Sequence, residues 1–117
     1  MMTKKLITIY LLLIAFHAMH IAEEILGNAS FITSFYKNVE TFGIISAILF
    51  AIPLVVFYFM LRKKRWALTC SYAYAAIMII DGISHLITQE AGRYTSSGLI
   101  IFGLLLVYFL RKEETRT

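Results

Sequence analysis

Phe16-His17-Ala18-Met19-His20-Ile21-Ala22-Glu23-Glu24-Ile25-Leu26-Gly27 places four ionisable side chains at the far end of an apolar run that begins at Leu6. With His17 at 0° on a helix of 3.6 residues per turn, His20 falls at about 300°, Glu23 at about 240° and Glu24 at about 340°, so the four share a sector of roughly 120°. The stretch reads as one polar face on a helix that is apolar elsewhere. Charge in that setting needs a partner or a task.

The surrounding composition makes the setting a membrane. Of 117 residues 60% are hydrophobic, the mean hydropathy is +0.78, and a soluble domain carries only about 45 to 50% apolar residues. The length suits one integral-membrane domain over residues 1–117, and one proline with six glycines leaves little room for linkers. The single Cys70 excludes an intrachain disulfide and a cysteine metal cluster, and it reads as an inert packing residue. The formal charge is +4, but the basic residues cluster at the ends of apolar segments, a pattern of membrane orientation rather than of nucleic-acid binding.

Four spans follow, and the expected fold is all-α, a four-helix transmembrane bundle. Leu6 to Leu26 is the first, near the roughly 20 residues that cross about 30 Å of hydrocarbon, and without a cleavage site it reads as a retained helix. Asn28 to Thr41, with Phe31, Phe35 and Tyr36, suits an interfacial segment. Within it Asn28-Ala29-Ser30 matches the glycosylation triplet, here taken as chance. Phe42 to Leu61 is the second span, where Pro53 should kink the helix and free a carbonyl for a neighbour. Trp66 to Thr88 is the third, and its Ser71, Ala73, Ala75, Ala76, Gly82 and Ser84 would allow close helix approach. Gln89 to Arg93 is a turn, with Thr95 or Ser96 as the next N-cap, and Gly98 to Leu110 is a short fourth span. Lys4, Lys5, Arg62, Lys63, Lys64, Arg65, Arg111, Lys112 and Arg116 fall on one side, nine of eleven basic residues. They predict a plasma-membrane protein with both termini cytoplasmic.

Depth brings two polar clusters together. At 1.5 Å per residue His20 and Glu24 lie about 21 and 27 Å from Leu6, while Asp81 and His85 lie about 22 and 28 Å from Trp66. Both clusters belong to the outer leaflet, and helices one and three can face each other across a bundle. A weak repeat agrees: His20-Ile21, Glu24 and Gly27 recur at equal spacing as His85-Leu86, Gln89 and Gly92. Two helical hairpins related by an axis along the membrane normal would produce it.

Imidazoles mixed with carboxylates suit a divalent zinc, iron or manganese ion. Candidate ligands are His20, Glu23, Glu24 and His85, with one glutamate free to act as general base; candidate catalytic groups are Glu23, Glu24 and His85. Asp81 either orients His85 or ligates directly, and His17 reads as a packed, hydrogen-bonded histidine in support. The chemistry would be that of a metal-dependent membrane hydrolase or oxidoreductase acting on an amphipathic or lipid-like substrate. The same groups also suit a module that binds or transports a metal, a proton or a hydrophobic ligand, or a self-protection or assembly subunit. Membrane lipids are the expected partners.

His20-Ile21-Ala22-Glu23-Glu24 reads H-x-x-E-E, and with His85 and the Tyr94 to Gly98 segment it resembles the HXXEE-motif family of small integral-membrane proteins. The resemblance implies a membrane bundle with an enzymatic polar site, matched here at His20, Glu23, Glu24 and His85. The family's late Tyr-x-Pro-Gly element stands here as Tyr94-Thr95-Ser96-Ser97-Gly98, one residue longer and without proline, so only a supporting role carries over to Tyr94.

Overall fold

The computed structural model describes residues 3–27, 38–88 and 93–116, and these form four helices: α1 (Lys4–Leu26), α2 (Val39–Leu61), α3 (Arg65–Thr88) and α4 (Arg93–Arg116). All four are long and apolar enough to cross a membrane. Their outward faces carry large aliphatic side chains, among them Ile44, Ile48, Ile52, Ile77, Ile80 and Ile87, all more than half exposed in the isolated chain. A water-soluble monomer rarely shows so continuous an apolar surface, whereas a bilayer solvates it. Cys70 lies on this surface. Its expected packing role is therefore corrected: it turns away from the core.

Local chemistry sets the helix ends. Thr3 caps α1 by accepting the Leu6 N–H at 3.3 Å, and the Gly27 N–H closes that helix on Glu23 O at 2.8 Å. Asn38 caps α2 through Thr41 N–H at 2.7 Å, each cap satisfying an orphan donor of the first turn. Between α2 and α3 the chain reverses through Lys63 at φ 58°, and the Lys64 N–H returns to Phe59 O at 3.1 Å. That left-handed residue with a bond back to the last turn is the geometry that ends a helix sharply. The Asn28 to Thr41 interfacial segment, up to residue 37, and Gln89 to Gly92 of the turn lie outside the described residues. So do the glycosylation triplet and two positions of the repeat.

Each helix runs antiparallel to the next. Tyr10 of α1 donates to Pro53 O of α2 at 3.1 Å and sets its ring at a tilt against Phe57, while His17, two turns on, meets Phe50. Tyr72, two turns into α3, donates to Glu114 in the last turn of α4 at 2.9 Å. The main packing pairs are α1 with α2 and α4, and α3 with α2 and α4. So α1 and α3 face each other diagonally. The expected Pro53 carbonyl partner exists, and it is Tyr10 from across the core.

Leu6, Tyr10, Leu13, Met60, Ala67, Leu99, Leu106 and Leu110 fill the centre. In lipid, where helices gain no hydrophobic advantage from each other, close packing at small residues holds them together. Of the small residues expected to do this, Ser71, Ala75 and Gly82 are buried, while Ala73, Ala76 and Ser84 face outward. A Cβ at Gly98 would lie 2.2 Å from the Phe16 ring, and one at Gly82 would lie 2.8 Å from Ser96 O; at Gly43 it would meet nothing. Gly98→Ala should therefore cost about 1 to 3 kcal/mol through overpacking. Gly43→Ala should be neutral or stabilise by up to about 1 kcal/mol. Denaturant titration of the helical signal in detergent checks both, and equal behaviour of the two variants would contradict this packing.

The fourth helix differs from expectation. It begins at Arg93 and runs to Arg116, longer than Gly98 to Leu110, and Thr95 and Ser96 sit inside it. The reason is a cap supplied from another helix.

Candidate metal centre

Four side chains from diagonal helices meet near the end of the bundle opposite the main basic cluster. His20 and Glu24, one turn apart on α1, face Asp81 and His85, one turn apart on α3. His20 Nε2 lies 3.1 Å from Asp81 Oδ2 and 3.4 Å from Glu24 Oε1; His85 Nε2 lies 3.4 Å from Asp81 Oδ1 and 3.7 Å from Glu24 Oε2. The two imidazoles stand edge to face with centroids 4.5 Å apart. His20 is 1% exposed, Glu24 6% and His85 7%, while the Asp81 side chain is 37% exposed. The centre is thus closed around three groups and open beside the fourth. Buried charges of this kind persist only when paired or coordinated.

His20 and His85 offer one nitrogen each and Asp81 one oxygen, all within 4.8 Å of one another, so this group could hold a metal ion. The separations themselves bear on which cation fits. Nitrogen and oxygen donors bound at about 2.1 Å in a tetrahedron stand roughly 3.4 Å apart, and Asp81 oxygens lie 3.1 and 3.4 Å from the two imidazole nitrogens, close to that edge. Charge-assisted hydrogen bonds from an imidazolium are shorter, about 2.7 to 2.9 Å. His20 Nε2 is buried and has no aligned hydrogen bond, although two carboxylates stand beside it.

The opposite edge of His20 is held firmly. His20 Nδ1 lies 2.8 Å from Thr95 Oγ1, and the Thr95 hydroxyl lies 2.9 Å from Glu23 Oε1. Glu23 also accepts the Thr95 N–H at 2.9 Å and the Tyr94 N–H at 3.0 Å. A carboxylate receiving three donors is an acceptor only, so the one Thr95 hydroxyl proton goes to Glu23. Thr95 Oγ1 then accepts from His20, which puts a ring proton on Nδ1; in the neutral ring that tautomer carries its lone pair on Nε2, the nitrogen that faces Asp81 and Glu24.

Each sequence candidate now has a place. His20, Glu24, Asp81 and His85 come together. Glu23 turns to α4, where it accepts N–H groups of the first turn, and Tyr94 reaches it through its backbone N–H. His17 lies beneath the centre, its Nδ1 2.9 Å from Tyr74 OH and its ring edge-on to Phe50, joining α1, α2 and α3. Asp81 stands between both imidazoles, a position equally close to ligation and to orientation. Sequence reasoning treated Thr95 only as a helix cap and missed its contact with His20; Tyr74 was also missed. Neither has a local signal, because both depend on which helices are neighbours.

Comparison of the chain with protein-family models, with curated proteins and with solved structures finds no match.

Proposed function

We propose that this chain is an integral-membrane enzyme holding one divalent ion, zinc, iron or manganese, at His20, Asp81 and His85, and acting on an amphipathic or lipid-like molecule. The observation that carries the reading is the set of donor separations around His20 Nε2, which is buried and faces two carboxylates. Without a metal ion or a proton at Nε2, the ring nitrogen and the two carboxylates repel one another in a medium of low dielectric. The bound ion would supply Lewis acidity and lower the pKa of a water at its open position.

The chain's own residues take the remaining tasks. Glu24 borders both imidazoles and would accept a proton as general base; Glu23 and Thr95 orient His20; Asp81 faces the opening through which an amphipathic substrate approaches. With both termini cytoplasmic, as the basic residues favour, that opening lies in the outer leaflet. The resemblance to the HXXEE-motif family accords with an enzymatic site, with Glu23 acting on α4 rather than on the ion.

A second reading follows from the closeness of Glu24 to both histidines: as a fourth ligand it would close the coordination sphere and make the chain a metal-binding or transport module. Glu24→Gln separates the two. Protein purified with zinc, iron and manganese supplied should carry close to one ion per chain by elemental analysis, and His20→Ala should carry less than about a tenth of that. If Glu24→Gln keeps the ion and loses turnover of a membrane lipid extract, the enzyme reading stands. If it loses the ion together with any flux, the module reading replaces it. A metal-free wild type under the same supply contradicts both.

A further inference from the structure

Between the metal centre and the inner end of the bundle, a second pair of polar side chains is buried at mid-membrane. His17 lies about 17 Å from Leu6 and Tyr74 about 12 Å from Trp66 along their helices, near the middle of a hydrocarbon core about 30 Å thick. Tyr74 is 8% exposed, and its hydroxyl lies 2.9 Å from His17 Nδ1, its hydrogen-bond partner among the described residues. Leaving a buried O–H without an acceptor is costly. Tyr74 therefore donates and His17 Nδ1 accepts, which puts the proton of the neutral ring on Nε2. Two apolar side chains would join α1 to α3 here without desolvating a polar group, and polar groups at this depth commonly serve a task.

A neighbouring tyrosine shows what is particular to this pair. The Tyr10 ring stacks on Tyr74, with centroids 5.8 Å apart and planes at 27°. Tyr10 is fully buried, and its hydroxyl donates to Pro53 O. Both phenols sit in the same apolar core, yet Tyr74 bonds to a base and Tyr10 to an amide carbonyl. An imidazole takes up a proton near neutral pH; a carbonyl does not. That difference decides redox chemistry, because a phenol that loses an electron becomes a strong acid. In a low dielectric the charge left on the ring is costly unless the proton departs with the electron. Tyr74 has an acceptor for that proton.

We propose that Tyr74 and His17 form a proton-coupled redox pair that gives one electron to the ion of the metal centre. The O–H bond of Tyr74 breaks: the electron goes to the ion, the proton forms an N–H bond at His17 Nδ1, and Tyr74 is left as a neutral phenoxyl radical. The ion acts as oxidant after a peroxide has raised it to iron(IV) or manganese(III), and it returns to iron(III) or manganese(II). Peroxide, reduced to water, takes two electrons from one iron(II) or one from each of two manganese(II) chains. Zinc has one oxidation state, so a centre that oxidises Tyr74 holds iron or manganese; this step rests on the metal centre proposed above. Asp81 stands two turns beyond Tyr74 on α3, about 10 Å along the axis, a span that an electron crosses by tunnelling through packed protein.

The test has two arms, both on full-length protein in detergent and both read by electron paramagnetic resonance. In the first, photogenerated ruthenium(III) polypyridyl oxidises ion-free protein. Radicals at the exposed Tyr58, Tyr94 and Tyr108 arise in every variant, so the Tyr74 signal is the difference between wild type and Tyr74→Phe. His17→Gln keeps a hydrogen-bond acceptor without a base, and it should lower that signal more than about tenfold. Tyr10→Phe should change it less than about twofold, since the Tyr10 phenol has no base to receive its proton. In wild type, electron–nuclear double resonance should show the radical hydrogen-bonded to an imidazole nitrogen, a readout that needs no variant. Equal signals in wild type and Tyr74→Phe overturn the pair, as does an undiminished signal in His17→Gln. In the second arm, protein loaded with iron or manganese receives hydrogen peroxide, and the same Tyr74-dependent radical should appear. Its absence in protein that carries the ion overturns the ion as oxidant. Protein that takes up neither ion contradicts the metal centre, and the first arm still decides the pair.

Discussion

Asp81→Ala is expected to lower divalent-ion affinity by more than about a hundredfold, measured by competition with a chromogenic chelator in detergent. Changing a residue that only supports a ligand costs about 10- to 100-fold, and Asp81 stands 3.1 and 3.4 Å from the two imidazole nitrogens. Its removal leaves Glu24 as the sole carboxylate against both rings. Asp81→Asn keeps an oxygen in place while removing the charge, so its loss should be smaller, about tenfold. Wild-type affinity in Asp81→Ala would restrict the ion to other donors and remove Asp81 from the centre.

The second large effect belongs to a residue that touches no ion. Glu23→Ala removes the acceptor for Tyr94 N–H, Thr95 N–H and the Thr95 hydroxyl. Loss of a helix cap costs about 0.5 to 2 kcal/mol, and stability should fall by at least that amount. The Thr95 proton, released from Glu23, can then turn to His20 Nδ1 and shift the ring proton to Nε2, which blocks the ligand edge. Affinity should fall about 10- to 100-fold. Thr95→Val should show the same loss of affinity with a smaller loss of stability, and Thr95→Ser should restore binding. Amide hydrogen exchange at Tyr94 and Thr95 gives an independent readout, accelerated in Glu23→Ala alone among these variants. Unchanged affinity in both Glu23→Ala and Thr95→Val would remove the link from α4 to His20.

These two residues also show what a sequence can and cannot reveal. Four spans are legible because long apolar runs with charged ends have few other outcomes in water or lipid, although the fourth reads as the short run Gly98 to Leu110 and only the structure extends it to Arg93–Arg116. Pairing of the His20 and His85 clusters is legible from matching depth, since both helices start at the same side and rise equally per residue. The division of work between Glu23 and Glu24 is not. They are adjacent, about 100° apart on one helix, and only the position of α4 decides that Glu24 faces His85 while Glu23 faces the Thr95 amide. The start of α4 has the same cause. Thr95 and Ser96 look like local caps, but a carboxylate from α1 takes the orphan donors, and the helix begins two residues before Thr95. Gly98 likewise reads as a span boundary, whereas its role is to admit the Phe16 ring.

The most direct measurement is anomalous X-ray diffraction from crystals of protein purified with its ion, recorded on both sides of the metal absorption edge. One peak should appear within about 2.2 Å of His20 Nε2, His85 Nε2 and an Asp81 oxygen. A fully loaded protein with its only peak elsewhere, or crystals without a peak in which these groups stand apart, would contradict the metal centre.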